Sequence, residues 1–171
     1  MTDALFVAVL FLAALTLFNL IVVLGVVRRL RSYETRLGAV AEPPLVSTMA
    51  AGEQVGDFTA STVDDRVVSR ASLGGPTLVG FFSPNCPACH ERLGDFRAAA
   101  DGHPGDVLAV VVRDGGDVAP VLSALAGTDV VIEEPEGPLA RAFGVRGFPA
   151  FIAVREEGVV ESVGFQVPVP A

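Results

Sequence analysis

The chain reads as an α/β protein carried behind a single membrane-spanning helix, and three observations predict it. Ala4 to Val27 contains no charged side chain. Farther on, short apolar runs rich in Val and Phe alternate with segments of helical spacing, the pattern of strands and helices sharing one core. Finally, the last two runs, Ala150 to Arg155 and Val159 to Val163, flank Glu156-Glu157-Gly158, a turn that makes them an antiparallel pair.

At 1.5 Å per residue the first run is roughly 36 Å long as a helix, enough to cross a bilayer core of about 30 Å. Met1-Thr2-Asp3 lacks the basic residues of a secretory signal and Arg28-Arg29 close the run, so a retained anchor is expected, with a juxtamembrane helix to Leu37. Gly38 to Gln54, with Glu42-Pro43-Pro44 and no period, reads as a linker. The expected organisation is therefore 1–37 anchor, 38–54 linker and 55–171 α/β domain.

Charge narrows the partners. The chain carries a formal −8, and residues 38–171 hold eight arginines against 18 acidic side chains, a balance of −10. Such a surface disfavours nucleic acid. Arg28, Arg29, Arg31 and Arg36 follow the apolar run, so the positive-inside rule predicts a cytoplasmic main domain, whereas a tethered dithiol is more at home in an oxidising extracytoplasmic space.

Within the domain, Val55 to Val68 is expected to form a hairpin around Asp64-Asp65. Thr77 to Phe82, apolar without interruption, suits a central strand buried on both faces. Pro87 to Ala100 has helical spacing in Leu93 and Phe96, with Pro87 at a first-turn position where a missing N–H costs nothing. Val107 to Val112 is a second buried strand, Val118 to Leu125 a helix, Val130 to Ile132 a short strand and Gly137 to Phe143 a helix.

Both cysteines of the chain lie at the junction of the central strand and its helix, in Ser83-Pro84-Asn85-Cys86-Pro87-Ala88-Cys89-His90. Three chemistries suit this spacing: a redox dithiol, a c-type haem attachment site and half of a zinc site. For a dithiol, the free N–H groups and positive end of the helix stabilise a Cys86 thiolate, and Cys89, one turn on, resolves the mixed disulfide. Haem would use His90 as one axial ligand and needs a second, for which Met49 and His103 are the candidates beside Met1, in an α-rich setting that this motif lacks. Zinc fits less well, because adjacent Cys89 and His90 point apart and His103 completes no usual spacing. Ser83 makes a Ser-x-x-Cys as in peroxidatic enzymes, but their upstream proline is missing and the second cysteine favours disulfide exchange.

Val55-Gly56-Asp57-Phe58, Leu78 to Cys89, and Phe143-Gly144-Val145-Arg146-Gly147-Phe148-Pro149-Ala150-Phe151 together resemble the membrane-anchored, thioredoxin-like thiol-disulfide oxidoreductases of the TlpA type, related to methylamine-dehydrogenase accessory proteins. The resemblance implies a thioredoxin fold, a central mixed sheet flanked by helices, with an N-terminal strand hairpin. It implies an enzyme that exchanges disulfides with protein disulfide or dithiol substrates through Cys86 and Cys89. Its redox-active disulfide would be Cys86-Cys89, with no other cofactor and no metal, and a membrane electron donor or acceptor would serve it. It also implies a domain on the extracytoplasmic side of the cell membrane.

By the same resemblance, Pro149 follows a cis bond beside the dithiol and forms with Phe148 the substrate-docking surface, while Asn85, Pro87 and Ala88 shape the site. Asn85 stands where the family usually has tryptophan, and Phe148 where it has threonine or serine. Gly80 occupies the place of a buried carboxylate found in typical thioredoxins, which leaves Glu91 or His90 as candidates for that role. A noncatalytic membrane-bound assembly factor and a haem carrier are the alternative functions. The chain stops where thioredoxins add a closing helix, so one sheet face is expected to be covered less or by other parts.

Overall fold

The computed structural model describes residues 15–16 and 46–168. Two units make up the chain, Met1–Pro43 and Pro44–Ala171, and the second holds every strand among the described residues. Leu15 and Thr16 are helical, and the remainder of the expected membrane span lies outside the described residues, as do residues 38–45 of the expected linker. Among the described residues no helix is long and apolar enough to cross a membrane.

The domain opens with β1 (Thr59–Ser61) and β2 (Val67–Ser69), an antiparallel pair turned at Asp64-Asp65, where Asp65 takes φ +59°. Asp accepts this left-handed geometry better than most residues. Five further strands form the main sheet: β3 (Thr77–Phe82), β4 (Asp106–Val112), β5 (Asp129–Glu133), β6 (Ala150–Val154) and β7 (Val160–Gly164). Their spatial order is β5-β4-β3-β6-β7. The β3, β4 and β5 strands run parallel to one another, and β6 and β7 complete the sheet antiparallel. All six residues of β3 are buried, as a central strand covered on both faces requires.

Three helices connect the strands: α1 (Pro87–Gly102), α2 (Ala119–Ala124) and α3 (Pro138–Ala142), each with proline in its first turn. Alternation along β3 sends Leu78 and Phe82 to one face and Val79 and Phe81 to the other. The first face packs with Leu93 and Phe96 of α1 and with Val121 and Leu125 around α2. The opposite face packs with Val55, Phe58, Leu73 and, around α3, Leu139, Ala142 and Phe143. Fully burying each such Leu or Phe contributes about 1.5–3 kcal/mol. After β7, Val167 packs on the α1 side of the sheet and Phe165 on the other.

One expectation is corrected. Val46 to Gln54, read as linker, belongs to the domain. Val46 and Ser47 are buried, the Ser47 hydroxyl donates to the Phe143 carbonyl at 2.7 Å, and the N–H of Thr48 donates to Gly144 O at 2.8 Å. Arg146 N–H returns a bond to Val46 O at 2.8 Å, and Glu53 O accepts from Val160 N–H at 2.8 Å. The segment pairs through isolated bridges, Ser47 with Val145 and Gln54 with Val159, so it has no strand period to read. The segment clamps the loop that leads to Phe148 and Pro149.

Candidate active site

The β3 strand delivers Cys86 to the site and α1 begins on it. Cys86 is the N-cap of α1: its sulfur accepts the Cys89 N–H at 3.2 Å, and its carbonyl accepts the N–H groups of Cys89 and His90 at 3.0 and 3.3 Å. Cys86 is half-buried and Cys89 fully buried, and both are free thiols. Cys86 is therefore the outer thiol and Cys89 the inner one.

Cys89 rests among aromatic rings. Phe82, Phe96 and Phe151 share its apolar cluster, with Phe82 and Phe96 edge to face at 5.2 Å and Phe96 stacked on Phe151 at 5.9 Å. Burial pushes the Cys89 thiol well above its ordinary value of 9.0, and the hydrogen bond with Cys86 adds to this, while a backbone hydrogen bond from Ser83 opposes it. Gly80 lies under the same rings. A Cβ there would stand 2.6 Å from Phe96 Cε2 and 2.9 Å from Phe82 Cε2, so no carboxylate side chain fits at this position.

The loop before β6 closes the site from the other side. Phe148-Pro149 is a cis peptide bond, and the Phe148 carbonyl accepts the Cys86 thiol at 3.6 Å. Phe148 packs against the cores of both sheet faces and Pro149 is buried, so the backbone beside Cys86 is held from beneath. Pro87 and Ala88 are exposed in the first turn of α1, leaving the outer face of the dithiol open to a partner.

A further polar cluster went unrecognised in the sequence. Asp114, in the loop after β4, accepts the Ser83 hydroxyl on Oδ2 and the Asn85 side-chain amide on Oδ1 at 3.1 Å, and its carbonyl accepts the same amide at 3.3 Å. Gly116 lets this loop approach, since a Cβ there would lie 2.7 Å from Asn85 Oδ1 and 2.8 Å from Pro84 Cβ. Asn85 thus acts as a hydrogen-bonding strut between the turn before α1 and the loop after β4. The available signal was topological: β3 and β4 are parallel neighbours, so the loops after both emerge at one edge of the sheet, where α/β sites form.

The two proposed substitutes for a buried carboxylate are placed elsewhere. Glu91 is exposed on α1, and the His90 ring Nε2 lies 2.8 Å from the Pro84 carbonyl, an engagement with the turn itself. His103 is likewise local, its Nδ1 accepting the Gly105 N–H at 3.1 Å. Cys89 and His90 point to different surroundings, as adjacent helical residues do.

No family model matches the chain. The sporulation thiol-disulfide oxidoreductase A of Bacillus subtilis (strain 168) is 22% identical to it over 111 residues, which is 61% of this chain and 67% of that protein. Among solved structures, the thioredoxin domain of a thiol-disulfide oxidoreductase from Bacteroides vulgatus superposes with TM-score 0.58 at 17% identity, over 68% of this chain and 89% of that one. A secreted Mycobacterium tuberculosis disulfide oxidoreductase, homologous to E. coli DsbE, gives TM-score 0.53 at 23% identity over 67% and 86%. StoA of Bacillus subtilis gives 0.52 at 21% over 67% and 90%. With its dithiol at the start of α1 and a cis proline facing it, the chain is a thioredoxin-fold protein whose relatives are thiol-disulfide oxidoreductases.

Proposed function

We propose that the chain is a thiol-disulfide oxidoreductase that exchanges disulfides with protein partners through Cys86 and Cys89, held at a membrane by Ala4 to Val27. The observation that carries the reading is the half-buried Cys86 sulfur, which accepts a helix N–H and faces the Phe148 carbonyl before cis Pro149.

In the reducing direction the Cys86 thiolate attacks a substrate disulfide, forms a mixed disulfide and releases one substrate thiolate. Cys89 then loses its proton and attacks Cys86 Sγ. A Cys86-Cys89 disulfide forms, the second substrate thiolate leaves, and two electrons have passed to the substrate; the oxidising direction is the reverse. Phe148 and Pro149 present the backbone and surface on which an extended substrate segment docks. A donor or acceptor in the membrane would return the pair to its starting state, and the tether would keep the domain near it.

The test is reduction or oxidation of a model protein disulfide by the purified protein. Wild type is expected to turn over, and Cys86→Ser is expected to fall to the uncatalysed background; a fully active Cys86→Ser protein would sink the reading. Membrane attachment is tested by partitioning of the full chain into the membrane fraction, where recovery in the soluble fraction refutes it. A topology reporter fused at the C-terminus then reads which side carries the domain.

A further inference from the structure

The buried Cys89 thiol is held protonated by its surroundings, so the charges near the dithiol govern how readily the reduced pair ionises. Beneath the pair there is no such charge, because Gly80 has no side chain and Phe82 and Phe96 fill the space beside it. At the side of the pair there is one. Both oxygens of Asp114 are tied to the turn preceding α1, one by Ser83 Oγ and one by Asn85 Nδ2 at 3.1 Å. Ser83 is 2% exposed, its carbonyl accepts the Cys86 N–H at 3.2 Å, and its backbone bonds the Cys89 sulfur. The carboxylate is thus coupled to both cysteines through one buried residue.

We propose that Asp114 is a positioning residue of the dithiol, a negative charge fixed through Ser83 and Asn85 that disfavours thiolate in the reduced pair and so shifts the couple toward its disulfide. This rests on the dithiol reading above and deepens it. Among the described residues the other titratable groups facing the pair are the cysteines themselves and His90, which is engaged with Pro84 O. Asp117 on the same loop accepts the Ala119 N–H at 3.0 Å, and Arg113 pairs with Glu134 at 3.5 Å.

The test uses the full chain as wild type, Asp114→Asn, Asp114→Glu and Ser83→Ala. Two readouts are taken: the pH dependence of thiol alkylation, which follows the thiolate, and the dithiol-disulfide equilibrium against a dithiothreitol or glutathione buffer. Asp114→Asn is expected to raise alkylation at fixed neutral pH about threefold to tenfold, the effect of removing one partly screened charge. Read at a pH above the titration of the attacking thiol, where the thiolate is the main reduced form, the equilibrium should move toward dithiol by a similar factor, a tenfold change being about 30 mV. Asp114→Glu keeps the charge and stays close to wild type, while Ser83→Ala frees the carboxylate and gives a smaller shift in the same direction. An unchanged pH profile and equilibrium in Asp114→Asn overturns the proposal. Neither readout needs a protein substrate, so failure of wild type to exchange protein disulfides would defeat the function proposed above while these two measurements still decide the role of Asp114.

Discussion

A methyl group placed on Gly80 collides with two rings at once. Its Cβ would stand 2.6 Å from Phe96 Cε2 and 2.9 Å from Phe82 Cε2, and neither ring can retreat freely because each packs against Phe151. Overpacking of this kind costs about 1–3 kcal/mol. Against it stands the gain from replacing a strand glycine by alanine, roughly 0.5–1 kcal/mol, so Gly80→Ala is expected to lose about 1–2 kcal/mol net. For a domain of this size that lowers Tm by roughly 4–10 °C, measurable by thermal or urea unfolding of the reduced protein. The cause is separable from a general strand effect: in a Phe96→Leu background the same substitution should cost less, since the colliding ring is gone. Gly80→Asp should lose more than Gly80→Ala, because a carboxylate would join the aromatic cluster around Cys89. A neutral or stabilising Gly80→Ala, or strict additivity with Phe96→Leu, would refute the reasoning.

Further outcomes follow from two buried titratable groups, Cys89 and Glu133. Cys89→Ala is expected to leave Cys86 able to attack but unable to be released, so mixed disulfides with substrate accumulate and appear as adducts on non-reducing gels; rapid turnover by this variant would contradict the assigned roles. Because the Cys89 thiol is raised above 9.0, the native state keeps its proton where the unfolded chain loses it. The stability of the reduced protein is therefore fully present below that value and declines as pH climbs above it, a slope that Cys89→Ala should remove. Glu133 is buried at the end of β5 and its carboxylate accepts the N–H groups of Leu139 and Ala140 at 2.9 and 2.8 Å, which fixes the start of α3. Glu133→Gln sets an amide donor against one of those N–H groups and should cost about 1–3 kcal/mol by urea unfolding. Burial raises the Glu133 carboxyl above 4.5, so its protonation favours the folded state below that value, and the wild type should lose part of this advantage as pH rises through the raised value.

Local pattern made most of the architecture legible. An apolar run without interruption, Thr77 to Phe82, bounded by Gly74-Gly75-Pro76 and Ser83-Pro84, suits a strand covered on both faces, and the structure seats it at the centre of the sheet. Pro87 in the first turn of α1 and turn residues at Asp64-Asp65 and Glu156-Glu157-Gly158 marked boundaries to within a few residues. Val46 to Gln54 was misread because its bonds go to distant backbone, singly and without period.

By itself the sequence determined where the two thiols lie, one helical turn apart after a buried strand, because spacing and helix geometry are local properties, whereas Phe148-Pro149 was singled out only through the resemblance to a family. Tertiary structure alone decided what surrounds them. Gly80 is under aromatic rings because α1 folds back over β3 and β6, and Asp114 reaches Ser83 and Asn85 because β4 lies parallel beside β3. Those approaches join residues about thirty positions or more apart or set rings against backbone, and only the packed sheet brings them within range.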